Sequence, residues 1–161
     1  MNKKIRKIMA CVDFSEYALM VLEYAAELSQ NSDIQIVIFN VINQRDVDTI
    51  EIFSGYAPAN IKVKDYIRDL KQDRQSMIEK MIDEHFFEEK SRMSFMIDVG
   101  IPYDKIIKTV EANDIDLVVI ANKGRGNLAR VLFGSTAEKV FRHSPVPVVS
   151  VRDRKRFKRG D

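Results

Sequence analysis

The sequence predicts an α/β protein built on one doubly wound, open parallel sheet of five strands with helices on both faces. Two observations predict it. Short apolar runs rich in β-branched residues recur along the 161-residue chain, as in strands that are buried on both faces. Between successive runs, apolar residues repeat every three or four positions, which is the spacing of a helix packed on one side. Strands that alternate with helices in this way form parallel sheets.

The first half of the chain contains two predicted strands and two predicted helices. A strand over 8–12 is followed by a helix over 17–30, rich in alanine, leucine and glutamate, and by a second strand over 34–42. Residues 43–61 show no sustained period, so we expect a loop longer than the usual connection of about 4–6 residues. Residues 62–89 have helical spacing, which predicts one long amphipathic helix with a charged outer face.

The second half continues the alternation of strands and helices. Its elements are predicted as strand 93–99, a helix after the break at 100–102, strand 117–121, helix 135–142 and strand 146–151. Pro147 lacks a backbone N–H, which favours an edge position or a bulge for the last strand. The pattern has no internal repeat and predicts a Rossmann-like sheet with strand order 3-2-1-4-5.

The formal net charge of +2 hides an uneven distribution. Residues 8–151 hold 16 basic and 22 acidic residues, whereas residues 1–7 and 152–161 each carry a net charge of +4. An acidic body argues against a nucleic-acid-binding surface, which needs clustered lysine and arginine. We predict one domain over 1–151 and a solvated basic tail over 152–161.

Cysteine usage and the start of the chain indicate the compartment. The single cysteine, Cys11, excludes an intramolecular disulfide, and no cysteine or histidine cluster has the spacing of a metal site. The apolar stretch that follows the first basic residues is too short for a signal peptide or a membrane span. We therefore predict a cytoplasmic protein with no metal-ligand cluster of its own and no association with a membrane.

Two strand ends carry the candidate ligand site. Ligands of open parallel sheets bind beyond the carboxyl ends of the strands, where the strand order reverses. With the order 3-2-1-4-5, the first and fourth strands flank that point. Asp13 follows the first strand, and Asn122 and Lys123 follow the fourth. Residues 121–142 also carry a local net charge of +4 on an otherwise acidic body.

Gly134 and the residues after it form the sharpest local signal. Ser135 and Glu138 have the spacing of a capping box, which predicts a helix start at Ser135. The first turn would present unpaired backbone N–H groups beside the hydroxyls of Ser135 and Thr136, which suits a phosphate group. The same residues also fit an ordinary capped helix after a turn, and the local sequence leaves both interpretations open.

Asp13 also has two interpretations. It could cap the first helix, with Glu16 at the reciprocal position, or its carboxylate could accept hydrogen bonds from ribose hydroxyls. His85 on the apolar face of the long helix and His143 past a helix end have no nucleophile or metal ligand nearby in the sequence. We interpret both histidines, and Cys11 within its apolar strand, as structural.

Four segments together resemble the universal stress protein family over nearly the whole chain: KIMACVDFSEYA, GIPYDKII, DLVVIANKGRG and GSTAEKVFRHSPVPVVSV. Family members that bind ATP carry a glycine, two residues, a second glycine, nine residues, and a glycine followed by serine or threonine. In this sequence Gly124 matches the second glycine, and Gly134 with Ser135 completes the motif. Ala121 stands at the position of the first glycine and keeps a small side chain there.

The resemblance implies a nucleotide-dependent regulatory or stress-response factor that binds ATP, alone or with Mg²⁺ or Mn²⁺. It implies that Asp13 and the backbone around Val41 hold the ribose and the adenine. It implies further that the motif residues contact the nucleotide and cradle its phosphates: Ala121, Asn122, Gly124, Arg125, Gly134, Ser135 and Thr136. It also implies a homodimer formed through the last strand.

Two other functions stay open on the sequence alone. One is a dimeric interaction protein that has lost nucleotide binding, for which Ala121 is the hint. The other is a slow ATPase. Against it stand the absence of a Walker-type lysine motif and the lack of an obvious base near the phosphates other than Asp13. No catalytic residue is predicted.

Overall fold

Strands and helices alternate along the chain, as the apolar runs predict, except that two helices lie between the second and third strands. The computed structural model describes residues 4–56, 62–123 and 134–153. The strands are β1 (Lys7–Cys11), β2 (Gln35–Asn43), β3 (Met93–Gly100), β4 (Leu117–Ala121) and β5 (Val148–Val151). The helices are α1 (Ala18–Leu28), α2 (Gln44–Ser54), α3 (Val63–His85), α4 (Pro102–Ala112) and α5 (Ser135–His143), with a 3₁₀ turn at Lys90–Arg92.

The five strands form one sheet in the order β3-β2-β1-β4-β5. All neighbouring strands are parallel. Ile8 of β1 lies opposite Ile36 of β2 on one side and opposite Leu117 of β4 on the other. The predicted fold class and strand order are both confirmed, and they follow from helical crossovers that return each strand parallel to the one before.

Helices cover both faces of the sheet. Since successive side chains of a strand point to opposite faces, neighbouring residues of one strand belong to different cores. Ile8 and Ala10 of β1 belong to the core cluster that includes Leu22 of α1 and Ile78 of α3. Met9, between them, belongs to a second cluster with residues of α4 and α5. Burying each large aliphatic side chain contributes about 1.5–3 kcal/mol. Burial on both faces explains why the sequence of β1 is a continuous apolar run.

Asp116 fastens the amino-terminal ends of β1 and β4 together. Its Oδ2 accepts hydrogen bonds from the backbone N–H groups of Arg6, at 2.9 Å, and of Lys7, at 3.1 Å. The Asp116 N–H in turn donates to the carbonyl of Lys7 at 2.9 Å. The residue is only 7% exposed. Hydrogen bonds to a carboxylate in such a place are strong, because water competes for them poorly.

The loop predicted over residues 43–61 is wrong for most of its length, because α2 occupies its first part. Val47 is the one buried residue of α2, whereas Ile52 and Phe53 are exposed, so the helix gains little from apolar packing. It is instead supported by its N-cap, where the side-chain Oδ1 of Asn43 accepts from the Arg45 N–H at 3.1 Å. Residues 57–61 lie outside the described residues.

Smaller differences concern the ends of two elements. α3 ends at His85, whose side chain is exposed instead of lying on the buried face, while Phe86 is buried beside it. β5 begins one residue after Pro147, whose carbonyl accepts from the Val118 N–H at 3.0 Å. β5 is an edge strand, as Pro147 predicts.

None of the helices in the described ranges combines the length and the apolarity of a membrane span.

Candidate functional site

The order of the strands reverses between β1 and β4. From β1 the chain continues to β2 and β3 on one side of the sheet, whereas β4 and β5 lie on the other side. Cys11, the last residue of β1, lies opposite Ile120 of β4. The loops that follow these strands therefore leave the same edge of the sheet about 4.8 Å apart. Such a reversal opens the crevice in which parallel sheets hold their ligands.

Asn122 joins the end of β4 to the start of α5. Its N–H donates to the carbonyl of Val151 at 3.0 Å, and its carbonyl accepts from the Gly134 N–H at 2.7 Å. Gly134 is the N-cap of α5, and Ser135 and Thr136 are the first two helical residues. The first turn of a helix has unpaired N–H groups and the positive end of the helix dipole. The crevice is thus bordered by a surface suited to an anion.

The helix start predicted at Ser135 is confirmed, but the capping box predicted there is wrong. Gly134, not Ser135, is the N-cap, and no side chain caps the helix. The Glu138 N–H donates to the Gly134 carbonyl at 3.0 Å, as an ordinary first helical bond. The Glu138 carboxylate pairs with Arg142 one turn further along, at 2.9 Å. This ion pair directs the Glu138 side chain away from the helix start, where a capping box needs it.

Asp13 organises the loop after β1. Its Oδ1 accepts a hydrogen bond from the Ser15 N–H at 3.0 Å. α1 begins only at Ala18, with Tyr17 as its N-cap and no side-chain cap. The interpretation of Asp13 as the cap of this helix, with Glu16 as its reciprocal partner, is therefore wrong: Asp13 caps a turn that precedes the helix. The ribose interpretation stays a prediction.

Val41 is level with Asp13 on the neighbouring strand. Cys11 pairs with Phe39 in the sheet. Val41 lies two positions after Phe39 within β2, and Asp13 lies two positions after Cys11, just beyond the end of β1. Val41 is half-buried and pairs with Asp98 of β3. A ligand that reaches from Asp13 across the end of β1 would therefore meet the backbone of Val41.

An ion pair between α4 and β3 lies at the carboxyl-terminal edge of the sheet, on the side of β3. Lys105 Nζ of α4 lies 3.0 Å from Asp98 Oδ2. Burial acts to raise the pKa of Asp98, but the hydrogen bonds from Lys105 and from the Val99 N–H outweigh it and hold that pKa below its ordinary value. Gly100 has a φ of 154°, and a Cβ there would lie 2.5 Å from Lys105 Cε. The absence of a side chain at Gly100 therefore leaves room for the Lys105 side chain to pass over the backbone and reach Asp98.

The predicted site residues fall into two groups, those that the structure describes and those that it does not. Gly124 and Arg125 lie outside the described residues. The structure brings the others to one edge of the sheet: Asp13, Val41, Ala121, Asn122, Gly134, Ser135 and Thr136. Across the described ranges, no three histidine, cysteine or acidic side chains are grouped so that they could hold a metal ion.

Known proteins share both the sequence pattern and this architecture. The model of the family described as "Universal stress protein family" matches residues 4–152. The chain belongs to the universal stress protein family.

One relative is similar in both sequence and structure. Universal stress protein MJ0577 of Methanocaldococcus jannaschii is 28% identical over 162 aligned positions, which cover 94% of this chain and 98% of the relative. The solved structure of MJ0577 superimposes with a TM-score of 0.77 over 92% of this chain and 96% of that one, at 25% identity. The two proteins thus correspond over nearly their whole lengths.

Two further solved structures share the fold at lower sequence identity. One is a universal stress protein in complex with cAMP, with a TM-score of 0.58 and 20% identity over 92% of this chain and 98% of that chain. The other is the universal stress protein from Archaeoglobus fulgidus in complex with dAMP, with a TM-score of 0.56 and 18% identity over the same shares. At these levels of sequence identity, the two likenesses show a shared fold and nothing more.

Sequence reasoning missed two polar residues of this universal stress protein that lie beside the crevice. Asn40 is 1% exposed within β2, and Arg74 is 6% exposed within α3. Arg74 lies in a helix whose sequence is rich in charged residues, so nothing in its local sequence sets it apart from the charges on the outer face. Asn40 was a usable signal, since an amide inside an apolar strand needs a buried hydrogen-bond partner. Arg74 is that partner, with Nη1 donating to Asn40 Oδ1 at 2.6 Å.

Cys11 lies two residues before Asp13, and its environment keeps it protonated. Burial raises the pKa of the Cys11 thiol to about 12, and the nearby negative charge of Asp13 adds to the shift. The thiolate is the reactive form, so a thiol with this pKa is a poor nucleophile at neutral pH. This agrees with the interpretation of Cys11 as a structural residue.

We expect the Cys11 thiol to react with a disulfide reagent at about pH 8 at least roughly 30-fold more slowly in the folded protein than in the unfolded chain, because the smaller thiolate fraction outweighs the greater nucleophilicity of a thiolate with a raised pKa. The chain has one cysteine, so absorbance of the released thiol measures this residue alone. The same measurement in guanidinium chloride gives the unfolded rate. A native rate within about tenfold of the unfolded rate would contradict the raised pKa.

Proposed function

We propose that this universal stress protein binds ATP in the crevice between β1 and β4, with any Mg²⁺ or Mn²⁺ carried on the phosphates. One observation carries the proposal. The hydrogen bond from the Gly134 N–H to the Asn122 carbonyl, at 2.7 Å, sets the N-terminus of α5 against the end of β4. Phosphates would bind the free N–H groups of that turn together with the hydroxyls of Ser135 and Thr136.

The nucleoside would lie across the ends of β1 and β2. The Asp13 carboxylate would accept hydrogen bonds from the ribose hydroxyls, and the backbone at Val41, level with it, would meet the adenine. Ala121 and Asn122 would line the floor between the two ends of the ligand. Gly124 and Arg125 complete the site in this proposal, on the strength of the sequence motif. Proteins of this fold include a cAMP complex and a dAMP complex, which makes adenine nucleotides the ligands to test first.

The proposed role is that of a nucleotide-dependent regulatory or stress-response factor in the cytoplasm. A homodimer through β5 is part of the proposal. It is supported by the position of β5 at the edge of the sheet, where one side of the strand has no neighbour within the described chain. Light scattering tests the dimer directly, because the expected mass is twice that of one chain.

Titration calorimetry with ATP, with and without Mg²⁺, tests the binding. Nucleotide extracted from freshly purified protein provides an independent readout, because a tightly bound ligand would survive purification. We expect saturable binding at one site per chain with a dissociation constant of about 1 mM or lower. Failure of both measurements would overturn the proposal and favour an interaction protein without a nucleotide.

A further inference from the structure

Arg74 is a buried cation at the edge of the sheet that holds the candidate site. It is 6% exposed, whereas the neighbouring residues of α3 on both sides, Asp73 and Gln75, are exposed. A buried guanidinium is costly unless hydrogen bonds satisfy it. Its Nη1 donates to Asn40 Oδ1 at 2.6 Å and to the Val41 carbonyl at 3.3 Å. The side chain thus reaches from α3 to the second half of β2.

Asn40 is also hydrogen-bonded to the residue that follows β1. Its Nδ2 donates to the carbonyl of Val12 at 2.7 Å, and the Val12 N–H donates to the Phe39 carbonyl at 3.0 Å. Val12 is therefore held on both its N–H and its carbonyl, one residue beyond the end of β1. A continuous set of hydrogen bonds runs from Arg74 through Asn40 to the residue that precedes Asp13.

Phe14, on the other side of Asp13, is also in contact with Arg74. Its φ of 58° lies in the left-handed region, which costs a residue other than glycine about 1–2 kcal/mol. The Arg74 guanidinium carbon lies 5.8 Å from the centre of the Phe14 ring, within the range of a cation–π contact. Such a conformation persists only when its surroundings hold it. Both neighbours of Asp13 are thus anchored, directly or through Asn40, to one guanidinium.

We propose that Arg74, acting with Asn40, is the positioning residue for the nucleoside half of the site. It fixes the Asp13 carboxylate for the ribose hydroxyls and the Val41 backbone for the adenine, without itself contacting the nucleotide. The inference rests on the proposed ATP binding and adds what sets selectivity for the sugar. The phosphate half, at the start of α5, is built on a different helix and does not depend on this network.

The test compares three ligands on an Arg74→Met variant: ATP, 2′-deoxy-ATP and inorganic tripolyphosphate, each by calorimetry. We expect the wild type to bind ATP about tenfold more tightly than 2′-deoxy-ATP, because Asp13 loses one hydroxyl partner. In Arg74→Met we expect ATP affinity to fall about tenfold or more and this preference to shrink towards one, while tripolyphosphate affinity stays within about twofold. Arg74→Lys, which keeps the charge and a donor, should restore part of the preference.

Arg92→Met is the matched control. The Arg92 guanidinium also donates to backbone carbonyls, those of Ser29, Ser32 and Ile34, but at the amino-terminal edge of the sheet. We expect this variant to lose stability and to keep the preference of ATP over 2′-deoxy-ATP. A change of preference in both variants would mean that general loosening causes it, which would overturn the positioning role of Arg74.

The other outcomes separate this inference from the proposed function. A wild type that binds no ATP overturns the proposed function itself. A wild type that binds ATP and 2′-deoxy-ATP equally, or an Arg74→Met variant that keeps the preference, overturns the inference and leaves ATP binding standing. Should Arg74→Met fail to fold, Asn40→Asp carries the same comparison. It keeps an acceptor for Arg74 but removes the donor to Val12, so it should also lose the preference.

Discussion

Gly134→Val is expected to weaken ATP binding at least about 100-fold while the protein stays folded. In the proposed complex the phosphates approach the N–H groups at the start of α5, and Gly134 is the residue before that turn. Valine would place a branched side chain where glycine leaves only a hydrogen atom, so the phosphates could no longer come within hydrogen-bond distance. Calorimetry on the purified variant measures the loss.

The backbone at Gly134 does not itself demand glycine. Its φ of −67° and ψ of 153° are ordinary extended values, which a β-branched residue adopts readily. Ile101, the N-cap of α4, has a φ of −77° and a ψ of 118°. This fold therefore already accepts a β-branched side chain at a helix start of the same kind. We expect the Gly134→Val change in unfolding free energy to stay below about 1 kcal/mol.

Ser144→Val is the matched control at the other end of α5. Ser144 is the C-cap, with a φ of −67° and a ψ of 128°, and its side-chain oxygen bonds the backbone of Val146. This variant receives the same side chain in a similar conformation and loses hydrogen bonds as well, yet it should bind ATP as the wild type does. Equal binding by the Gly134→Val variant would remove Gly134 from the phosphate site.

Asp116→Ala is expected to lower the unfolding free energy by about 2–4 kcal/mol. The substitution leaves the N–H groups of Arg6 and Lys7 without the carboxylate that accepts from both of them. Asp116 is only 7% exposed, whereas Arg6 is exposed and Lys7 is half-buried, so the substitution removes two charge-assisted hydrogen bonds that water replaces only in part. Urea denaturation followed by circular dichroism measures the difference.

Asp83→Ala is the control for removing a carboxylate as such. Asp83 lies 2.6 Å from Lys90 Nζ, but both side chains are 56% exposed, so water and salt screen the pair and its loss should change stability by less than about 0.5 kcal/mol. Asp116→Asn retains an oxygen acceptor and should fall between the two variants. An Asp116→Ala protein as stable as Asp83→Ala would show that the bonds at the strand ends add nothing.

The sheet could be predicted because most residues of its central strands are apolar and buried on both faces, which leaves a continuous apolar run in the sequence. The run LVVIA predicts the fourth strand over 117–121, the bounds that the structure has. The strand order follows from the short alternation of strands and helices, together with the preference of such crossovers for one hand. The edge of the sheet at which ligands bind, and with it the meeting of Asp13 and Gly134 there, is a consequence of topology and needs no side-chain detail.

What could not be predicted depends on polar contacts between distant residues. α2 buries only Val47 and leaves Ile52 and Phe53 exposed, so its apolar residues do not mark one buried face as those of a packed helix do. Arg74 sits in the sequence as one more charge on a charged helix, and only its pairing with Asn40, 34 positions earlier, explains why it is buried. The predicted capping box failed for a similar reason, because Glu138 has a second possible partner in Arg142, and sequence spacing alone cannot decide between them.

The central position of β1 has a consequence for synthesis of the chain on the ribosome. The backbone of Lys7 is paired with Asp116, 109 positions later. At translation rates of about 5–20 residues per second, β1 waits on the order of 10 s for β4 after it has been made. During that interval one side of an apolar strand has no neighbour to bond with. We therefore expect nascent chains that end before β4 to depend on chaperones, and those that extend through β5 to be released from them.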